Sequence, residues 1–222
     1  MWELWTIGLF VYTLLVVRLC FIVPCFSLVK KPTGSTTRWE RKSLMVLLGS
    51  GGHTGEMLRM LTSVDSLDRL RKITFVVSSG DTSSIVLLEK FAKKKRLTKD
   101  TYTILELPRA RSVGEGLLSS VKSTIISTFS TFATLSRQGH RIGHPDILMV
   151  NGPGTSVPLC LFFTCWNFLG ESNTRILYIE SLARVKRLSL SGTLCRPLAH
   201  RFIVQWAELA GKTNAEYHGI LV

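Results

Sequence analysis

Ser43 to Glu56 reads SLMVLLGSGGHTGE, an unbroken apolar run, Ser43–Leu48, passing directly into a glycine-rich turn, Gly49 to Gly55, with a histidine set inside it. A continuous apolar run of that length, ended by turn residues, reads as a strand buried on both faces, as in a parallel sheet. The glycines let the backbone turn tightly and bring N–H groups and a helix N-terminus toward an anion. The turn does not match the dinucleotide fingerprint, because Thr54 stands where its third glycine belongs. Nor is it a P-loop, since no lysine precedes a hydroxyl residue at the required spacing. A turn whose glycines serve shape alone is the alternative reading. His53 lies beside two glycines at a strand end, which makes it a candidate general base. Glu56 is a weaker catalytic candidate, equally readable as a charge favourable to the helix dipole.

The rest of the chain repeats this alternation. Strands are expected at Lys72–Ser79, Thr101–Leu107, Asp146–Gly152, Arg175–Ser181 and Arg201–Trp206. Helices are expected at Thr54–Leu67, Ser83–Leu97, Val113–Gln138 and Thr155–Leu169, the third with Leu117, Val121, Ile125, Phe129 and Phe132 at helical spacing. Apolar strands separated by helices predict an α/β fold: one Rossmann-like, doubly wound, mostly parallel sheet domain. The chain's 222 residues hold one such domain and a short extra segment, but not two.

Ligands of such sheets bind at the carboxyl ends of the strands. Candidate ligand-binding residues are therefore Gly49, Ser50, Gly51, Gly52 and Thr54 after the first strand, and Arg109 and Arg111 after the third. Asn151, Gly152, Gly154 and Thr155 follow the fourth strand, and Glu180, Ser181 and Arg184 the fifth. Arg109 and Arg111 alternate so that both can fork onto phosphate oxygens; two solvated arginines are the alternative. Glu180, Ser181 and Arg184 suit a sugar hydroxyl or a phosphate, or form a local Glu180–Arg184 helix pair. The helix after the fourth strand is apolar all round and reads as a core helix or as a patch resting on lipid.

Lys and Arg number 28 against 15 Asp and Glu, a formal charge of +13 that points to an anionic partner. Lys30, Lys31, Arg38, Arg41 and Lys42 follow an apolar N-terminus, a juxtamembrane pattern, whereas Lys93 to Arg96 read as cations at a helix C-terminus. Trp39 is the one aromatic set within either cluster, short of a stacking platform, so no nucleic-acid partner is expected. Leu4 to Leu28 is apolar apart from Arg18 and long enough to span a bilayer. Arg18, past the midpoint, can snorkel to the cytosolic headgroups, and Trp2 and Trp5 suit the opposite interface. Glu3, the long core and a Pro-Cys-Phe sequence argue against a cleaved signal, and the basic excess after the span leaves the globular part in the cytosol. Five cysteines without a Cys-x-x-Cys pair read as small buried residues rather than disulfides or a metal site. The expected organisation is an anchor at 1–29, a basic linker at 30–42, a domain at 43–206 and a tail at 207–222.

GSGGHTGE, NGPGTSVP, YIESLARV and RFIVQW, in that order behind an N-terminal anchor, resemble the asparagine-linked glycosylation fourteen family. These are the membrane-anchor subunits of the dolichol-diphosphate-linked UDP-N-acetylglucosamine transferase. A more distant likeness is to the N-terminal half of MurG-type glycosyltransferases. The resemblance implies the N-terminal acceptor half of a glycosyltransferase B fold, with a small soluble UDP-N-acetylglucosamine-binding catalytic subunit as partner. It implies dolichyl-diphosphate N-acetylglucosamine as acceptor, membrane lipids and other early dolichol-pathway transferases as neighbours, and no cofactor or metal. It also implies an endoplasmic reticulum membrane protein, single-pass, with its domain and C-terminus facing the cytosol and inactive alone. The tail would dock the partner through Tyr217, Ile220, Leu221 and Val222, apolar residues that need cover. Ala207 follows the Gln205–Trp206 pair where the family is expected to carry proline. A self-contained membrane-bound nucleotide-binding enzyme and a pure scaffold are the competing classes.

Overall fold

The computed structural model of the chain describes residues 2–24, 41–64, 67–108 and 117–222. Among them run β1 (Ser43–Leu48), β2 (Lys72–Ser78), β3 (Tyr102–Leu107), β4 (Ile147–Asn151), β5 (Arg175–Ile179), β6 (Arg201–Val204) and β7 (Glu216–Tyr217). The helices are α1 (Trp2–Ile22), α2 (Gly52–Thr62), α3 (Thr82–Lys94), α4 (Leu117–Ile142), α5 (Ser156–Leu169), α6 (Leu190–Cys195) and α7 (Ala207–Thr213).

All seven strands form one sheet in the order β3-β2-β1-β4-β5-β6-β7, and every neighbouring pair is parallel. This is the doubly wound, Rossmann-like domain that the alternation predicts. The order reverses between β1 and β4, so the two loops that leave these strands flank the crevice where such sheets bind ligands.

β1 is central, paired with β2 on one side and β4 on the other, which is why its six residues are all buried. Alternate residues serve two cores. Met45 and Leu47 pack with Phe162, Cys195 and Leu209 on the face covered by α4 to α7. Leu44, Val46 and Leu48 pack with Met57, Leu61, Leu88 and Phe91 on the face covered by α2 and α3. Asp146, just before β4, fixes the start of β1: its carboxylate accepts from the Ser43 N–H and hydroxyl, both at 2.8 Å, and from Lys42 Nζ at 3.2 Å.

The fold departs from the sequence expectations in several places. The sheet runs on past Trp206: α7 starts at Ala207, the position of the expected proline, and returns the chain to β7, a seventh parallel strand beside β6. In α4, Phe132 packs its ring on Phe162 and Trp166, which sets the rotation of the helix. Ile125 and Phe129 of the expected core stripe consequently face outward, 53% and 75% exposed, while Ser127, Thr131 and Leu135 are buried. Spacing alone could not choose between these faces, since both carry apolar residues. Cys160 and Cys195 are buried as expected, but Cys165 is exposed on α5. Hydrogen bonding to Cys195 and burial push the Cys160 thiol well up, so it stays neutral.

Among the described residues one helix, α1, is long and apolar enough to cross a membrane, and its Trp5–Ile22 window is not buried. Arg18 is not directed to solvent alone. Its Nε donates to the Phe168 carbonyl in the last turn of α5, and the guanidinium lies over the Phe168 ring, 5.7 Å from the centroid.

Candidate functional site

The loop after β1 is shaped by Gly49 and Gly51. Gly51 has φ +65°, a left-handed conformation favouring glycine, and it starts α2 without a side-chain cap. Gly49 is buried, and a Cβ there would lie 2.6 Å from Pro153 Cγ and 2.9 Å from His53 Cβ. The two strand-end loops are therefore in direct contact.

Thr54 does not point into the crevice. It is fully buried, its hydroxyl bonding the Gly49 carbonyl and lying 2.6 Å from Ser84 Oγ, which in turn bonds Asp81, the N-cap residue of α3. Its role is to tie the glycine turn to the loop after β2.

His53 sits at the switch point. Asn151 Nδ2 donates to its carbonyl at 2.9 Å. The imidazole lies against the β4 loop, so close to Gly152 that a Cβ there would fall 2.7 Å from His53 Cε1. The His53 side chain is about one-third exposed, yet its Nδ1 is buried without a hydrogen-bond partner.

Glu56, one turn along α2, presents Oε2 to that Nδ1 at 3.9 Å, and Oε2 is likewise buried and unpartnered. The other oxygen, Oε1, accepts from Ser181 Oγ at 2.9 Å. Loops from β1, β4 and β5 thus converge on one histidine. Gly52 and Gly154, with Ser50, form the exposed rim.

Glu180 does not join them. It is fully buried, with Oε2 accepting from the Ser189 N–H at 3.0 Å and the Ser189 hydroxyl at 3.1 Å, and Oε1 from the Ser181 N–H at 3.1 Å. No helix follows β5, so a Glu180–Arg184 helix pair does not form; the Arg184 N–H closes a turn onto the Ser181 carbonyl. Arg184 itself is exposed beside the site. Thr155 is buried ahead of α5. Burial, and then the Glu180 charge, push the Tyr178 phenol up, which keeps it neutral against Phe202. Arg109 and Arg111 lie outside the described residues.

Three supporting residues escaped the sequence reading. Ser189 caps α6 by accepting from the Gly192 N–H at 2.9 Å, and Ser191 Oγ donates to the Gly152 carbonyl at 2.8 Å. Gln205 donates to the Glu180 carbonyl at 3.0 Å and accepts from the Leu221 N–H at 3.1 Å. A serine followed by a short run with a glycine is a usable N-cap signal for Ser189; nothing local marks Gln205.

The tail folds back on the domain. Tyr217 lies in β7, and Leu221 and Val222 pack beside Ile179 and Ile203 on the α2–α3 face of the sheet, while Ile220 is exposed.

Residues 44–221 match the family model described as "Oligosaccharide biosynthesis protein Alg14 like". A UDP-N-acetylglucosamine transferase subunit ALG14 from Debaryomyces hansenii is 51% identical over 185 residues, 81% of this chain and 76% of that protein. The protein of the same name from Candida albicans is 41% identical, covering 94% of this chain and 91% of its own length. That from Schizosaccharomyces pombe is 40% identical over 82% of this chain and 84% of its own. A crystal structure of MurG from Acinetobacter baumannii superposes with a TM-score of 0.46 at 13% identity, covering 73% of this chain and 40% of that one.

Proposed function

The chain belongs to the Alg14-like family of oligosaccharide biosynthesis proteins, and on that premise we propose that it is the acceptor-side subunit of a membrane-bound UDP-N-acetylglucosamine transferase. Its substrate is dolichyl-diphosphate N-acetylglucosamine, to which the complex adds a second N-acetylglucosamine in N-glycan precursor synthesis. A small soluble subunit binds UDP-N-acetylglucosamine and is recruited to the membrane by this chain, whose α1 anchors it in the endoplasmic reticulum with the domain in the cytosol. Other early dolichol-pathway transferases are its neighbours there.

One observation carries the catalytic part of this reading: His53 is held between the β1 and β4 loops at the topological switch point, with its side chain about one-third exposed. In the reaction the acceptor sugar hydroxyl attacks C1 of the donor sugar. His53 Nε2 takes the hydroxyl proton as the new C–O bond forms, and the bond from C1 to UDP breaks with its electron pair leaving on the phosphate oxygen. A positioned base contributes about 10²- to 10⁴-fold.

The exposed glycine rim and the turn ahead of α5 suit the lipid diphosphate, with the exposed Arg184 after β5 as a cation for it and Arg109 and Arg111, which follow β3 in the sequence, as further candidates. Holding the domain at the bilayer raises the effective concentration of a lipid-borne acceptor.

The test is turnover by the full chain with and without the soluble donor-binding subunit, using UDP-N-acetylglucosamine and an isoprenyl-diphosphate N-acetylglucosamine. Product is expected only from the pair, and His53→Ala in the pair is expected to remove nearly all of it. Turnover by this chain alone would favour a self-contained enzyme, and near-normal turnover by His53→Ala would reduce it to a scaffold.

A further inference from the structure

We infer that Glu56 is a positioning residue for His53, locked by Ser181, so that the β5 loop sets the orientation and tautomer of the proposed base. The inference rests on the role of His53 given above and deepens it.

Two buried polar atoms, His53 Nδ1 and Glu56 Oε2, lack partners and face each other at 3.9 Å. Leaving both atoms unpaired is unfavourable, and a movement of about 1 Å would bring them to hydrogen-bond distance. Catalytic hydrogen bonds are often long before substrate binds and tighten in the complex. The spacing of the two residues, i and i+3 on α2, puts both side chains on one face of the helix.

Glu56 is not free to turn away. Ser181 Oγ donates to Oε1 at 2.9 Å, and that hydroxyl also accepts from the Ala183 N–H at 3.3 Å, so the serine is itself set by the turn after β5. The lock spans the sheet from β1 to β5 across the switch point.

Chemically, a carboxylate on Nδ1 keeps the proton there in the neutral ring, which leaves the Nε2 lone pair toward the acceptor hydroxyl. When Nε2 takes the hydroxyl proton, the ring becomes an imidazolium whose Nδ1–H donates to Glu56, and the charge created is compensated. Glu56 gains no proton and touches no substrate atom.

The charges around the imidazole are few. On α2, Arg59 is one turn beyond Glu56 and reaches back only toward Gly55. The β4 loop brings Asn151, Gly152 and Pro153, none of them titratable. On the β5 side Glu180 is turned to Ser189, and Arg184 is exposed.

The experiment measures kcat and KM for each substrate in the two-subunit complex, for Glu56→Gln, Glu56→Ala and Ser181→Ala beside His53→Ala. Thermal unfolding and co-purification with the soluble subunit check that each variant is folded. Glu56→Ala should lose roughly 10- to 100-fold in kcat with little change in KM. Glu56→Gln, which keeps the shape and an acceptor oxygen but not the charge, should recover part of that kcat. Ser181→Ala should lose less, again in kcat rather than KM. A folded Glu56→Ala with unchanged kcat, or one whose loss falls on KM alone, while His53→Ala is inactive, would overturn the inference and leave the base in place. If His53→Ala turns over normally, the functional reading itself fails.

Discussion

At Gly152 an added methyl group would lie 2.7 Å from His53 Cε1, closer than real Cβ contacts come, so the ring would have to shift. The β4 backbone packs against the imidazole and Glu56 Oε2 stands 3.9 Å from its Nδ1. Gly152→Ala is expected to lower kcat of the complex about 10-fold or more by displacing the base, since small misplacements of reacting groups are costly. Thermal stability of the variant should change little, and equal losses in both would remove the positional argument. Glu180 predicts the opposite pattern. Its carboxylate accepts three hydrogen bonds in a fully buried setting, and a Cβ at Gly192 would collide with it. Glu180→Ala should destabilise the domain by on the order of 3 kcal/mol, through three buried donors left without an acceptor. Chemical denaturation in detergent measures it. His53 and the glycine turns were legible in sequence because their chemistry is local. The inward turn of Thr54 and Glu180 was not, because their partners, Ser84 and Ser189, come from other segments.

The junction of β1 and β4 is held at its base by Asp146. Burial alone would raise its carboxyl, but hydrogen bonds from Ser43 and the Lys42 ammonium outweigh this and hold it below the usual carboxylate range. A folded value below the unfolded one, ~3.9, means stability present above about pH 4 and lost as pH falls through the folded value. Asp146→Asn should therefore lower the thermal midpoint at pH 7, with the gap to the parent protein closing as pH falls below the usual carboxylate range. A gap independent of pH would assign the effect to shape rather than charge. At the other end of α5, Arg18 of α1 bonds the Phe168 carbonyl and covers its ring, a cation at a helix C-terminus. Arg18→Leu makes α1 more apolar and should leave insertion intact while releasing α5. Faster amide hydrogen exchange around 165–170 in bilayers is the expected readout, and unchanged protection there would show that Arg18 does not couple the two helices.

Element types across the sheet followed from period and punctuation, because a buried parallel strand has little other way to be written. What the sequence did not disclose was which surfaces the whole molecule leaves for others. The crossovers from β4 onward, α5, α6 and α7, all pack on the face of Met45 and Phe162. The opposite face is covered by α2 and α3 near β1 and β2, and over β5 and β6 Leu221 and Val222 pack against Ile179 and Ile203. The tail is fixed there by the Leu221 N–H on Gln205, whose own amide holds the loop after β5 that carries Ser181. A partner gripping this tail, as proposed above, would be seated at the β6–β7 end of the sheet. Replacing Leu221 and Val222 with aspartate should abolish capture of the soluble subunit and all turnover. The domain should lose only a few degrees in thermal midpoint, since the side chains removed are partly buried rather than central. Tyr217→Ala, at a 45% exposed position in the edge strand, should weaken capture without affecting the fold. If the doubly substituted chain still binds the soluble subunit with its original affinity, the docking surface lies elsewhere, and the tail is only a cover for Ile179 and Ile203.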